Sequence, residues 1–368
     1  MECDYVCAAP QLSKSLHRTE ERMTTLDQKS PSRRRVTVKD LAKDLGMSVS
    51  TVSRAFYPEA IVAPATRTLV LERARAIGYK ANPYAQSLIT KRTQIVGLVV
   101  ADITNPFYPE VMTRLTADLQ VLGMNVMLVS ANATDKVDDA VQLLLSYQPD
   151  LVIILAAALS SRAVQECSEA GSPCIFFNRL SGDAAEHGVT CDNIAGGINV
   201  ADYLVDLGHK RLLYVAAFPG ASTNVERQRG FCERALARGV AAPLVIEAGS
   251  FSYEAGFAAA KTMAELPERP DAVFCANDIV AIGFIEGVRT LGFSVPEDIS
   301  VVGFDDIAMA AWPSHALTTV RQPVEEMLSI TVEFARKLAS DPDAPGEVHR
   351  IPPGPLIERG TTRRRGTL

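Results

Sequence analysis

The sequence predicts an α/β protein with a small all-helical head, and three observations carry that prediction. In VTVKDLAKDLGMSVSTVSRAF, Val36 to Phe56, apolar residues fall on one face of two short segments broken at Gly46. From Ile95 onward, apolar runs alternate with amphipathic segments, the rhythm of parallel strands covered by helices. Charge follows the same division. Residues 33–92 hold twelve Lys or Arg against four Asp or Glu, a net of +8. Residues 1–32 hold four against five, and the remainder 21 against 34, a net of −13 within an overall −6. A basic module joined to an acidic body is what a polyanion-binding head on a soluble core looks like.

Within the head, Gly46 can end the first helix in the left-handed conformation, and Ser48 can cap the second by accepting a backbone N–H bond. Ser48, Ser50, Thr51 and Arg54 stay on the polar face. This is helix-turn-helix geometry, in which the second helix lies in the DNA major groove; taken alone, an ordinary helical hairpin fits as well. Pro64 to Ile77 predicts a third helix, with proline in its first turn and Gly78 just past its end. Leu69, Val70, Arg73, Ala74 and Ile77 offer the stripe that packs under the first two helices. Next, Asn82 caps and Pro83 starts a short helix through Ala85 to Ile89. So short a helix is unstable in isolation and orders only against a partner, a second copy of itself or DNA.

Beyond the head, strands are expected at 95–100, 125–130, 151–155, 174–177, 211–215, 244–248, 272–275 and 299–304, with helices such as 109–122, 138–147, 194–207, 227–238, 253–264 and 278–291 between them. Two sets of strand–helix units divide near Cys191 and Asp192, and the chain recrosses near Arg321 and Gln322. The expected organisation is a disordered extension at 1–35, the head at 36–81, and a hinge helix and linker at 82–93. A first lobe follows at 94–191 with 323–340, and a second at 192–322 with 341–368. A start at Met23 would leave only a short arm ending in Arg33, Arg34 and Arg35. In open parallel sheets ligands lie beyond the carboxyl ends of the strands, so two facing lobes make a binding cleft.

At this point the chain resembles the lactose repressor (LacI) family of bacterial transcription regulators, from Val36 almost to the C-terminus. The resemblance rests on VTVKDLAKDLGMSVSTVSRAF, GYKANPYAQSL, GLVVADITNPFY, LGHKRLLYVA, CANDIVAIGF, VPEDISVVGFDD and LTTVRQPVEEM, in order and at family spacing. It implies a homodimer on a palindromic operator, with a periplasmic-binding-protein-like body controlled by a small effector. Val49, Ser50 and Arg54 then match positions that reach base edges, and Thr37, Ser48, Thr51 and Ser53 those near phosphate. Ala85 and Leu88 match the hinge helix, Leu88 being the leucine that wedges between base steps. Gln86 stands where the family usually carries Arg, and Ala63 where it usually carries a Ser or Thr cap.

The same resemblance places effector contacts at Asn105, Phe107, Tyr108, Asn178, Arg179, Thr223, Arg227, Phe251, Asn277 and Asp305. Acids and amides for hydroxyl edges, with aromatics for ring faces, suit a sugar; Arg179 with Arg227 suits a sugar acid or a phosphate equally. Asn105 before Pro106 is also a good turn residue.

Other classes fit less well. A solute-binding protein for a transporter predicts a secretory segment and no basic head, whereas the polar N-terminus points to the cytoplasm. An enzyme lacks support from any G-x-G-x-x-G, P-loop, G-x-S-x-G or H-E-x-x-H motif. The five histidines show no metal-ligand spacing, and seven dispersed cysteines give neither a disulfide framework nor a zinc site, so no cofactor or metal is expected. A repressor is expected, with an activator as the alternative. The tail from Arg363 to Leu368 lacks the leucine heptads that would bundle dimers into a tetramer.

Overall fold

The computed structural model describes residues 36–57, 60–81, 87, 92–131, 136–155, 160–182 and 186–365. The expectations for residues 1–35 and for Asn82, Pro83, Ala85, Gln86, Leu88 and Ile89 lie outside the described residues. The chain divides after Asn82 into two units.

The first unit is built from α1 (Val38–Leu45), α2 (Val49–Ala55) and α3 (Pro64–Ala76). Thr37 and Asp40 form a reciprocal capping box at the start of α1, and Gly46 ends it at φ 64°. Ser48 caps α2 by accepting from Thr51 N at 3.1 Å. Ala63 supplies no side-chain cap to α3, and Pro64 takes the first turn in its place. The core is small: Leu41, Ala42, Val52, Ala55, Val70 and Ala74. Leu69, expected in the buried stripe, is 48% exposed, because Val70 and Ala74 already fill the space beneath α3. Arg67 holds the loop after α2 by donating to Ala55 O at 3.0 Å, to Ala60 O at 2.8 Å and to Tyr57 O.

The second unit contains two six-stranded sheets. The first comprises β1 (Ile95–Val100), β2 (Asn125–Ser130), β3 (Leu151–Leu155), β4 (Cys174–Phe177), β5 (His187–Cys191) and β11 (Val348–Ile351), in the order β11–β5–β4–β3–β1–β2. All its pairings are parallel. The second comprises β6 (Leu212–Ala216), β7 (Leu244–Glu247), β8 (Ala272–Cys275), β9 (Ser300–Asp305), β10 (Thr318–Arg321) and β12 (Leu356–Ile357), in the order β12–β10–β9–β8–β6–β7. Only its β10–β12 pairing is antiparallel.

The helices are α4 (Phe107–Val121), α5 (Val137–Leu145), α6 (Ser161–Glu169), α7 (Asn193–Asp206), α8 (Ser222–Ala237), α9 (Tyr253–Ala264), α10 (Asp278–Thr290) and α11 (Val324–Ser340). α7 packs on α8 with backbones nearly touching: a Cβ on Gly197 would stand 2.3 Å from Arg227 O, and one on Gly230 2.2 Å from Ile194 O. Among the described residues no helix is long and apolar enough to cross a membrane.

One expected boundary is corrected. Residues 341–368 do not belong wholly to the second lobe, because β11 pairs with β5 through Val348–Gly188 and Ile351–Cys191. α11 packs on β3, β4 and β5, and the short link 341–347 returns the chain to the edge of the sheet that α11 covers. The return to the second sheet comes only with β12. Strands β5, β10, β11 and β12 escaped the sequence reading because HGVTC, TTVR and VHRI carry no continuous apolar run.

Candidate functional site

Two sites emerge, one in each unit. In the head, Ser48, Val49, Ser50 and Arg54 are exposed on α2, and Thr51 and Ser53 are half-buried beside them, while Val52 and Ala55 face the core. Thr37 is exposed at the start of α1. Arg54 Nη2 donates to Ser50 Oγ at 3.1 Å. The result is a polar helix face with one guanidinium, offered to solvent by a helix whose first turn is capped by Ser48. Ala85 and Leu88 lie outside the described residues.

In the body, Asn105, Phe107, Tyr108, Asn178, Arg179, Thr223, Arg227, Phe251, Asn277 and Asp305 line one pocket. Asn105 comes from the loop after β1, Phe107 and Tyr108 from the first turn of α4, Asn178 and Arg179 from the carboxyl end of β4, and the others from α8 and from the carboxyl ends of β7, β8 and β9. Parallel strands bring their carboxyl ends together, so residues far apart in sequence converge.

Asp305 is the centre of the polar network. Its carboxylate accepts from Gln322 Nε2 at 2.7 Å and from Asn277 Nδ2 at 3.4 Å, and lies 3.5 Å from Arg227 Nη2. Burial raises its pKa, against the opposing pull of Arg227, Gln322, Asn277 and Arg179. Arg227, 2% exposed, donates Nε to Asn193 Oδ1 at 2.9 Å and Nη1 to Ala276 O at 2.7 Å, with its guanidinium 3.7 Å over the Phe304 ring. Arg179 lies 4.5 Å over Phe251.

Across the pocket, Asn178 Nδ2 donates to Tyr108 Oη at 3.0 Å, and its Oδ1 is buried without a hydrogen-bond donor from any described residue. That acceptor is ready for a ligand hydroxyl. Asn105 does serve the turn, since its Oδ1 accepts from Phe107 N at 3.2 Å. Asn277 caps α10 through Val280 N at 3.2 Å. Asn178 and Asp305 hold φ of 72° and 121°, backbone conformations that side chains rarely adopt. Strain of this kind collects where a site fixes its groups.

The free space among these residues is about 10 Å³, room for roughly one water molecule. Ligand pockets for drug-sized molecules are about 300–1,000 Å³, so this space as it stands is too small for a sugar. Sequence reasoning missed Gln322, Asn193 and Phe304, which hold Asp305 and Arg227 in place. The signal for Gln322 was present, since it stands where the chain recrosses between lobes. Asn193 and Phe304 sit beside motifs already singled out, but their partners became visible only when α7, α8 and β9 came together.

A capped helix-turn-helix head and a two-sheet body closing on a polar pocket define a ligand-binding regulator of transcription. The family described as a periplasmic binding protein-like domain matches residues 201–362. The HTH-type transcriptional regulator CelR of Thermobifida fusca is 31% identical over 303 residues, 80% of this chain and 89% of that protein. Catabolite control protein A of Priestia megaterium is 27% identical over 323 residues, 86% of this chain and 96% of that one. Among solved structures, a CelR–cellobiose complex matches with 28% identity and a TM-score of 0.67, over 89% of this chain and 100% of that chain. The Lac repressor dimer bound to operator and the anti-inducer ONPF shares the fold at TM-score 0.79 and 24% identity, over 90% of this chain and 100% of that chain. The chain belongs to the LacI family and is a DNA-binding transcriptional regulator.

Proposed function

We propose that this regulator is a cytoplasmic, non-enzymatic repressor that binds a palindromic operator as a homodimer and is controlled by a sugar or sugar acid in the body pocket. The observation that carries the effector class is the convergence of Asp305, Asn277, Asn178 and two arginines with Phe107, Tyr108 and Phe251. The acid and amides suit hydroxyl groups, the aromatic rings suit the faces of a pyranose, and Arg179 with Arg227 suits a carboxylate. CelR, solved with cellobiose, supports a sugar for a relative of this chain.

Mechanistically, a hydroxyl pair on Asp305 replaces the donors that Gln322 and Asn277 now supply. Gln322 lies on the segment between β10 and α11, which joins the two sheets, so ligand occupancy and sheet separation share one hydrogen bond. The change in sheet separation alters how two copies meet, and with it the ordering of the hinge segment 82–93 on DNA. Coupling of this kind is commonly about 1–3 kcal/mol and reciprocal. Arg54 supplies bidentate recognition of guanine, worth about 1–3 kcal/mol per good pair, and Leu88 the apolar wedge.

The test is a thermal-shift screen of sugars and sugar acids on the purified protein, followed by operator binding with the stabilising compound. A selective stabiliser that changes operator affinity is expected through mass-action linkage. Stabilisation by none of these compounds, or by one that leaves operator binding untouched, overturns the assignment. Leu88→Ala should weaken operator binding while ligand affinity stays constant; equal operator affinity in the variant refutes the hinge reading.

A further inference from the structure

We infer a second, anion-binding site at the opposite end of the second sheet. β6, β8 and β9 present their carboxyl ends to the pocket around Asp305, and their amino ends start at Leu212, Ala272 and Ser300. Strands of this length separate the two ends by about 13–20 Å. At the amino ends lies a cavity of about 220 Å³, lined by Arg211, Arg269 and Arg365, by Asp298, and by Met263 and Phe293 among its apolar residues.

The three guanidinium groups come from separate segments, and each is held. Arg211 Nε donates to Arg269 O at 2.8 Å, and Arg269 stacks 4.8 Å over the Phe293 ring. Arg365 is fixed through its backbone N to Leu207 O at 2.8 Å, and its Nη2 donates to Asp298 O at 3.2 Å. Arg365 Nη1 also stands 3.9 Å from Asp271, which takes part of its charge. Elsewhere in this unit arginines find carboxylates, as Arg234 and Arg238 do with Asp202 and Arg359 does with Asp306. Among the described residues neither Arg211 nor Arg269 has a carboxylate within 4.0 Å.

Three arginines against one aspartate give the lining a net of +2, on a chain whose residues beyond 92 are strongly acidic. A phosphate monoester carries about −1.5 to −2 at neutral pH and offers the oxygens that several guanidinium groups can share. The volume is below that of pockets for drug-sized ligands, so the site takes a small phosphorylated compound, its phosphate on the arginines and its body against Met263 and Phe293. Inorganic phosphate shares the chemistry without the body.

Calorimetry and phosphorus NMR on the full chain, with inorganic phosphate and with phenyl phosphate as probes, test the site. One saturable site per chain is expected, weakened at least about tenfold in the Arg211→Gln/Arg269→Gln double variant and abolished in Arg269→Glu. Both arginines are exposed, so the melting temperature should not change in either variant. Tighter binding of phenyl phosphate than of phosphate identifies an ester as the ligand; equal binding identifies free phosphate. Absence of saturable binding, or binding equally tight in the double variant because the probe sits on the basic head, overturns the proposal. The Arg211/Arg269 variants separate this site from the pocket around Asp305, because phosphate held by Arg179 and Arg227 there would bind them as tightly as the parent and so count against the proposal.

Discussion

The exposed face of α2, proposed to read DNA, and the pocket around Asp305 solve opposite problems. On α2, Ser48, Val49, Ser50 and Arg54 stand in solvent and are positioned by the local backbone, through the Ser48 cap and the Gly46 turn. In the pocket, Arg227, Asn277 and Asp305 are at least nine-tenths buried and are positioned by one another. A long polyanion must reach its partners from outside, so exposure there costs nothing. A small ligand must be surrounded, and its charged partners must first be held against the cost of burial. Changes in the head should therefore act locally and mildly, whereas changes in the pocket should spread into stability.

The sharpest way to break that contrast is Arg227→Ala. It leaves Asp305 buried without its cation and removes the donors to Asn193 and Ala276, so a loss of about 3–5 kcal/mol in denaturant unfolding is expected, with ligand binding abolished. A variant that unfolds like the parent would show that the pocket is not self-supporting. Gly197→Ala follows, at about 3 kcal/mol, because its Cβ would press on Arg227 O; the same melting experiment, with ligand titration, reads both its stability and its effect on Arg227.

Ser48→Ala should cost about 1 kcal/mol of head stability through the lost cap. It should lower operator affinity, measured by fluorescence anisotropy, without moving ligand affinity. A change in ligand affinity as large as the change in operator affinity would erase the distinction between the two regions.

The smallest effect is expected at Asp278, buried behind Asp305. Its carboxylate accepts from Thr319 Oγ1 at 2.5 Å and from Ile307 N at 2.9 Å. Burial, reinforced by Asp305, pushes its pKa well above the ordinary 3.8. Because the folded-state pKa is the higher one, the stability it contributes is fully present below about pH 3.8 and is lost as pH rises through the folded value. Asp278→Asn keeps both contacts if the Thr319 hydroxyl turns from donor to acceptor, so it should change stability by less than about 1 kcal/mol. It should also flatten the decline above pH 3.8, as seen in pH-dependent unfolding. Asp305, whose pKa is also raised by burial, contributes with the same sign.

What could be read in advance follows the range of the forces involved. Gly46, Ser48 and Pro64 act on neighbouring residues, and the helix boundaries of the head were legible from them. Strands such as LVIIL at 151–155 declare themselves by composition, whereas TTVR at 318–321 is a strand only because β9 and β12 flank it. The pocket residues were reached through resemblance to a family, not through any local pattern. Gln322, Asn193 and Phe304 remained hidden because their importance lies in partners 17, 34 and 77 positions away: Asp305, and for the latter two Arg227. The assignment of 341–368 to one lobe failed for the same reason, since nothing within VHRI indicates the sheet edge at β5.

The left-handed backbone at Asn178 and Asp305 also sets the terms for redirecting the pocket toward another small molecule. A library that randomises the whole pocket would spend most of its diversity at two positions where few side chains can adopt the required φ. Thr223, Phe107 and Phe251 sit on ordinary backbone, so their replacement is limited by packing, since all three are buried, and not by φ. Engineering of ligand choice is therefore best aimed at those three, with the strained pair left as the fixed anchor against which new molecules are selected.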